Sequence, residues 1–137
     1  MTKNVITIDL KKSISDAALL MKERTIGSLV VTDGETPVGI VTERDFVRRA
    51  VANKLQFDNS ILEIMSKPLV TIDPNFSLEE AARLMLENKI RRLLVLEEGK
   101  IKGIIVASDF ARQLSEETLS EKILKAIARY PIITTDL

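Results

Sequence analysis

The chain has 137 residues, of which 45% are hydrophobic, and its 20 basic residues balance its 20 acidic ones. This length suits one compact domain, and the balanced charge excludes the strongly basic surface typical of proteins that bind nucleic acid or anionic membranes. The absence of His and Cys excludes a Ser-His-Asp triad, a thiolate nucleophile, a disulfide framework and the usual zinc sites.

The first predicted elements are a strand and a helix. Residues 5–8 form a short apolar run, and Ser13 follows with an acidic residue, Asp16, three positions later. This spacing resembles a capping box and predicts that a helix begins after Ser13. One stripe of that helix is predicted to face a core, because its apolar residues recur at helical spacing: Ile14, Ala17, Ala18 and Met21.

Two strands and a second helix are predicted next. The apolar runs 28–32 and 38–41 flank the turn sequence DGETP, which indicates a hairpin. The second helix is expected to begin after Thr42. Residues 54–64 then serve as a connector.

The same pattern occurs again 64 residues later. Residues 1–48 align with residues 65–112 without a gap, and 19 of these 48 positions are identical. The second copy has apolar runs at 69–72, 93–96 and 101–106, a capping serine at Ser77, and a second helix expected after about Ser108. We therefore predict an α/β protein of the α+β type, with two pseudo-symmetric β-α-β-β-α units packed as one module.

A third segment follows the two copies. Its apolar residues recur at helical spacing and predict an amphipathic helix before Pro131: Leu119, Ile123, Ala126, Ile127 and Tyr130. This helix packs either on its own module or on a second subunit or regulated partner. The expected domains are 1–60 with the connector, 61–115, and the helix and tail at 116–137.

The joint between the third strand and the second helix has a related sequence in both copies, GIVTERD at 39–45 and GIIVASD at 103–109. With the repeated β-α-β-β-α pattern and the lead-in MSKPLVTID of the second copy, the chain resembles a tandem pair of CBS domains, named after cystathionine β-synthase, up to about residue 115. The resemblance implies a regulatory module that binds AMP, ADP, ATP or S-adenosylmethionine in clefts between the copies. It also implies that such modules often form homodimers.

One cleft is expected at the first joint. Asp45 would accept hydrogen bonds from both ribose hydroxyls, as acidic residues do in dinucleotide folds, and a phosphate suits a helix N-terminus. By the geometry that the resemblance implies, this cleft combines Thr42, Arg44, Asp45, Ser66 and Thr71. The alternative is that Thr42 only caps the helix and Asp45 only favours its first turn.

The other cleft is expected to differ. Val106 replaces the Thr42 hydroxyl, whereas Arg91 and Arg92 replace a Gly-Ser pair and are positioned where family members often contact phosphates. The residues implied for this cleft are Thr2, Thr7, Ile26, Arg91, Arg92, Ser108 and Asp109. The alternative for the two arginines is a solvated surface pair.

Adenine would need a flat apolar slot, which Ile26 and Ile90 are expected to line. The alternative for both isoleucines is an ordinary core position. Thr7 and Thr71 have a similar alternative as ordinary strand threonines.

Three classes of function are open on the sequence: a ligand-sensing module, an adaptor whose clefts stay empty, and an enzyme. The enzyme is the weakest, because Asp45 and Asp109 have no nearby base or nucleophile. We expect no metal site and no nucleic-acid partner. The first residues, MTKNVITIDL, are too short and too charged for a signal peptide, and no apolar run approaches the ~18 residues of a membrane span. We therefore expect a cytoplasmic protein.

The expected partners are an adenosine ligand, a second copy of the chain and an unidentified regulated protein. The homodimer is expected because small or apolar helix positions exceed what two sheets need to cover. They are Ala17, Ala18, Val47, Val51, Ala81, Ala82 and Ala111.

Overall fold

The computed structural model describes residues 3–67 and 69–109. These residues form two compact units, which we call the first unit (residues 5–69) and the second unit (residues 3–4 and 70–109). Each unit contains a three-stranded sheet and a long helix. The predicted α+β fold class is therefore confirmed.

The first unit has its elements in the predicted order. They are β1 Thr7–Asp9, α1 Ile14–Arg24, β2 Ser28–Asp33, β3 Thr36–Thr42 and α2 Glu43–Asp45, continued by a π-helix Phe46–Val51 and later by a 3₁₀ helix Ile61–Glu63. Strand β2 pairs in parallel with β1 and antiparallel with β3. The π-helix was not predicted, since its wider turn has no distinct sequence period.

The second unit repeats this topology. Its elements are β4 Thr71–Ile72, α3 Leu78–Asn88, β5 Arg92–Glu97 and β6 Lys100–Val106. The register shifts between Val31 and Thr32 in β2 and between Val95 and Leu96 in β5, at positions related by the repeat. Residues 107–109 are helical, so the second helix of this copy begins at Ala107, slightly earlier than predicted.

The two predicted capping serines begin their helices. In α1, the Asp16 N–H donates to Ser13 Oγ at 3.0 Å and the Ser13 N–H donates to Asp16 Oδ2 at 3.1 Å, which completes a capping box. In α3, the Glu80 N–H donates to Ser77 Oγ at 3.1 Å. Each cap provides an acceptor for an N–H of the first helical turn that has no partner within the helix.

The buried stripe of α1 is narrower than predicted. Ile14, Ala17 and Met21 are buried, but Ala18 is exposed, so its assignment to the core was wrong. Ala18 is rotated by about 100° from Ala17 around the helix axis, beyond the edge of the contact with the sheet. Its counterpart Ala82 is buried in α3.

The connector contributes to the core of the first unit. Ile61 and Ile64 are fully buried and belong to the same apolar cluster as Ile14. The Ile14 N–H donates to the Asn59 carbonyl at 2.9 Å, and the Ile61 N–H donates to the Lys12 carbonyl at 3.0 Å. Residues 54–64 are therefore a packed part of this unit as well as a link to the second copy.

Three of the helix positions expected to support a homodimer are buried inside the units. Ala17, Ala81 and Ala82 are buried within their own units, so they offer no contact surface. Val47 and Val51 remain exposed, at 63% and 58%. Ala111 and the predicted helix of the tail lie outside the described residues. Within the described part of the chain, no helix has the length and apolar character needed to cross a membrane.

Candidate functional site

The first joint forms a compact hydrogen-bonded turn at the end of β3. Thr42 keeps an extended conformation, with φ −123° and ψ 166°, and the helix begins at the next residue. The Thr42 N–H donates to Asp45 Oδ2 at 2.8 Å, and the Thr42 hydroxyl lies 3.3 Å from the same oxygen. Asp45 therefore accepts a hydrogen bond from the backbone of the strand it follows.

The lead-in of the second copy reaches the same carboxylate. Ser66 forms a two-way backbone bridge with Ile40, with N–O distances of 2.9 and 3.3 Å. Its hydroxyl lies 3.3 Å from Asp45 Oδ1 and 3.5 Å from Oδ2. The predicted meeting of Ser66 with Asp45 is thus present, and it occurs inside the first unit.

Gly39 makes that bridge possible. A Cβ atom built there would overlap with Cγ and Sδ of Met65 and would lie 2.8 Å from the Ser66 carbonyl oxygen. The glycine of GIVTERD is thus required by the close approach of the lead-in segment.

Arg49 is a third contact of the joint and was not predicted. Its Nε lies 3.8 Å from Asp45 Oδ1, and its NH1 group donates to the carbonyl oxygens of Ile64 at 3.3 Å and Met65 at 3.0 Å. The spacing of four residues from Asp45 was visible in the sequence, because residues i and i+4 are neighbours on a helix. The carbonyl partners depend on the tertiary fold and have no signal in the sequence.

Asp45 is a buried acid. Only 6% of its surface is exposed, and this burial raises the pKa of its carboxyl above the ordinary value, against the opposing effects of the Thr42 N–H, Arg49 and Ser66. Desolvation penalises the ionised form, whereas donors favour it. The donors around Asp45 therefore offset the desolvation of its carboxylate only in part.

The second joint reproduces the backbone pattern. The Val106 N–H donates to Asp109 Oδ2 at 3.1 Å, as the Thr42 N–H does to Asp45. The first helical N–H also has a matching partner in both copies: Glu43 donates to the Gly27 carbonyl at 3.1 Å, and Ala107 donates to the Arg91 carbonyl at 2.8 Å. The role of each Asp in the turn is therefore independent of the threonine hydroxyl, which Val106 lacks.

The other predicted residues lie in both units. Arg44 and Ile26 are partly buried in the first unit, and Thr7 is exposed in β1. In the second unit, Ile90, Arg91 and Arg92 are partly buried, Asp109 is intermediate, and Thr71 and Ser108 are exposed. Thr2 lies outside the described residues. Ile26 and Ile90 both pack against the core of their own unit, as the ordinary core alternative expected.

An open pocket of about 450 Å³ lies beside the first joint. Ile26, Gly27, Glu43 and Phe46 line it, together with residues of α1 that include the exposed Ala18. Lys22 of α1 also lines it, so the two charged residues of its lining, Lys22 and Glu43, have opposite signs.

Comparisons with known proteins agree with the repeat. The family model described as CBS domain matches residues 1–52 and 61–116. The CBS domain-containing protein YhcV of Bacillus subtilis (strain 168) is 35% identical over 119 residues, which cover 86% of this chain and 85% of that protein.

Two similar solved structures contain AMP. The structure of CBSX2 in complex with AMP has a TM-score of 0.68 and 29% identity, and it covers 85% of this chain and 92% of its own. The CBS domain protein PAE2072 from Pyrobaculum aerophilum, complexed with AMP, has a TM-score of 0.71 and 25% identity over 91% of this chain and 94% of its own.

Proposed function

Because the chain belongs to the CBS-domain family, we propose that it is a non-enzymatic regulatory module that binds an adenine nucleotide and signals its presence to a partner protein. AMP is the ligand we put first, since CBSX2 and PAE2072 were solved in complex with AMP. ADP, ATP and S-adenosylmethionine share the adenosine group that the proposed contacts would recognise.

The observation that carries this proposal is the bonding of Asp45. Within residues 3–67 and 69–109, its one short hydrogen bond comes from the Thr42 N–H, at 2.8 Å, while the hydroxyls of Thr42 and Ser66 lie 3.3 Å or more from its oxygens. A hydroxyl bound well to a carboxylate lies at about 2.5–2.7 Å. Ribose hydroxyls would form shorter bonds and take the place of these long ones.

The remaining contacts follow from the repeat. Arg91 and Arg92 would bind phosphate oxygens, because guanidinium groups match phosphate geometry, and Ser108 and Asp109 would complete that cleft with Thr2, Thr7 and Ile26. Thr71, Arg44 and Ser66 would serve the cleft of Asp45, and Ile90 would contact its adenine. We propose all of these residues as nucleotide contacts. We propose no metal ion at the site.

An adaptor with empty clefts is the second candidate. One observation favours it: Asp45 and Asp109 both accept a hydrogen bond from their own strand, at Thr42 and Val106. A carboxylate needed only for this turn would require no ligand.

Titration calorimetry of the full chain with AMP, ADP, ATP and S-adenosylmethionine distinguishes the two candidates. A sensor should release or absorb heat with at least one of them, and ligand at 100 times its Kd should stabilise the chain by about 2.7 kcal/mol in thermal unfolding. GMP and 2′-deoxy-AMP serve as controls for the base and the ribose. If no adenosine ligand gives heat or stabilisation, the adaptor is the remaining candidate.

A further inference from the structure

Arg49 connects the candidate ligand carboxylate to the chain between the two copies. Its guanidinium lies 3.8 Å from Asp45 Oδ1 through Nε and donates through NH1 to the carbonyl oxygens of Ile64 and Met65. Those carbonyls belong to the end of the connector and the start of the second copy. One planar group therefore contacts both the joint and the segment that leaves the first unit.

The chemistry of arginine makes this contact a coupled one. A guanidinium presents its donors in a rigid planar fork, so a shift of the carboxylate must either turn the whole fork or break its bonds to the carbonyls. Ser66 adds a second connection, because its hydroxyl faces Asp45 while its backbone bridges Ile40. Two side chains thus connect Asp45 to the main chain at residues 64–66.

The position of Arg49 has a different residue in the second copy. The residue 64 positions later is Gln113, which carries no charge, whereas its neighbour Arg48 has an arginine counterpart in Arg112. Arg49 lies in the π-helix Phe46–Val51, and π-helical turns are frequent at functional sites. The first joint has an arginine four residues after its aspartate, and the second joint has a glutamine there.

We propose that Arg49 is a positioning residue that couples nucleotide binding at Asp45 to the backbone position of residues 64–66. This rests on the proposed function, since it requires a nucleotide at the first joint. When the ribose forms hydrogen bonds to the Asp45 carboxylate, the Arg49 guanidinium moves with that carboxylate. Its hydrogen bonds to the Ile64 and Met65 carbonyls then change. The coupling is reciprocal: the factor by which the nucleotide changes the strength of these hydrogen bonds is the factor by which the bonds change the nucleotide affinity.

Three variants of the full chain test the coupling. Arg49→Gln introduces the residue that the second copy has at this position, Arg49→Lys keeps the charge but loses the fork, and Arg48→Gln is the matched control at an exposed neighbour. Two quantities are measured for each: the Kd for AMP, and the hydrogen-exchange rate of the Ser66 and Ile40 amides with and without AMP. These amides form the backbone bridge of the lead-in segment.

We expect AMP to change the exchange rate of the Ser66 amide in the unmodified chain. Arg49→Gln should remove this response and shift the Kd for AMP by roughly 2- to 30-fold, Arg49→Lys should do so partially, and Arg48→Gln should leave both as they were. Arg49→Lys provides the comparison if the glutamine variant does not fold.

Two results would overturn the coupling alone. In one, Arg49→Gln changes exchange at Ser66 but the Kd for AMP stays the same, which indicates a purely structural arginine. In the other, neither quantity responds. Absence of AMP binding by the unmodified chain would instead overturn the proposed function and the coupling that depends on it.

Discussion

Asp45 stabilises a turn of the fold and keeps acceptor capacity that a ligand could use. Its carboxylate accepts a short bond from the Thr42 N–H and two long contacts from hydroxyls, while it is 6% exposed. The short bond belongs to the turn, and the long ones leave capacity for other donors. The charge of Asp45 and its oxygen acceptors can therefore be tested separately.

We expect Asp45→Asn to weaken AMP binding while the chain still folds. The amide keeps an oxygen acceptor for the Thr42 N–H but loses the charge, and hydrogen bonds to a charged group contribute about 1.5–3 kcal/mol. The expected loss of affinity is roughly 10- to 150-fold, measured by calorimetry. Asp109→Asn is the matched change in the second joint. An unchanged Kd in folded Asp45→Asn would mean that the carboxylate serves only the turn.

The pH dependence of stability should distinguish Asp45 from Asp16. Burial raises the pKa of Asp45 above 3.8, so its contribution to stability is full below 3.8 and is lost as pH rises through the raised value. Hydrogen bonds from Ser13 lower the pKa of Asp16 below 3.8, so its contribution is full above 3.8 and is lost as pH falls through the lowered value.

Urea unfolding of the unmodified chain, Asp45→Asn and Asp16→Asn between about pH 7 and pH 3 measures both effects. Relative to Asp45→Asn, the unmodified chain should gain stability as pH falls towards 3.8. Relative to Asp16→Asn, it should lose stability at the acidic end of the range. Slopes of the same sign for the two comparisons would contradict the assignment for Asp45.

At the scale of elements, the lead-in segment depends on one glycine in β3. Gly39 faces Met65 and the Ser66 carbonyl so closely that a methyl group there must displace the segment. Gly27 offers a matched comparison, because a Cβ atom there would meet only the end of the flexible Glu43 side chain, at 3.1 Å.

Gly39→Ala should therefore destabilise the chain by about 1–3 kcal/mol, the usual cost of overpacking. Gly27→Ala should change the free energy of unfolding by about 0.5 kcal/mol or less. Both are measured by urea unfolding at constant pH. Equal midpoints for the two variants would show that the lead-in does not depend on this close approach.

At the scale of the whole molecule, the two copies share a fold but differ in charge at their joints. The first joint has Glu43 at its first helical position and Gly27 before β2, whereas the second has Ala107 and Arg91 there. Arg91 adds a positive charge that Gly27 lacks, and Ala107 lacks the negative charge of Glu43, so the second set favours a phosphate more than the first. Equal topology therefore does not imply equal binding.

We expect two unequal nucleotide sites per chain, with the site of Arg91 and Arg92 preferring ligands with more phosphates. Replacing both arginines by Gln should weaken ATP more than AMP, since each lost hydrogen bond to a charged group contributes about 1.5–3 kcal/mol. Calorimetry with both nucleotides measures this difference. A fit to two identical, independent sites would contradict it.

We expect a homodimer that covers the exposed apolar residues of the π-helix. Val47 and Val51 are more than half exposed, and symmetric association is the common way to cover such positions. We expect light scattering to give twice the chain mass of 15.3 kDa and Val47→Asp to lower it towards the single-chain value. Leu62→Asp, at an exposed position of the 3₁₀ helix, is the control. A mass of 15.3 kDa at micromolar concentrations would refute the dimer.

The sequence alone determined the order and type of most elements. The capping serines Ser13 and Ser77, the two hairpins and the repeat of 64 residues are local or periodic signals, and they predict structure because backbone bonds within a turn or between adjacent strands depend on nearby residues. The same local rule places Asp45 and Asp109 in equivalent turns, where each accepts the N–H three residues earlier.

Only the tertiary structure decided what surrounds that carboxylate. The carbonyls of Ile64 and Met65 that face Arg49, and the overlap that requires Gly39, arise between residues 15 to 26 positions apart. The exposure of Ala18 and the burial of the connector likewise depend on how far each surface is covered by another element. Such contacts arise when distant segments pack together in three dimensions, so local residue type and spacing do not predict them.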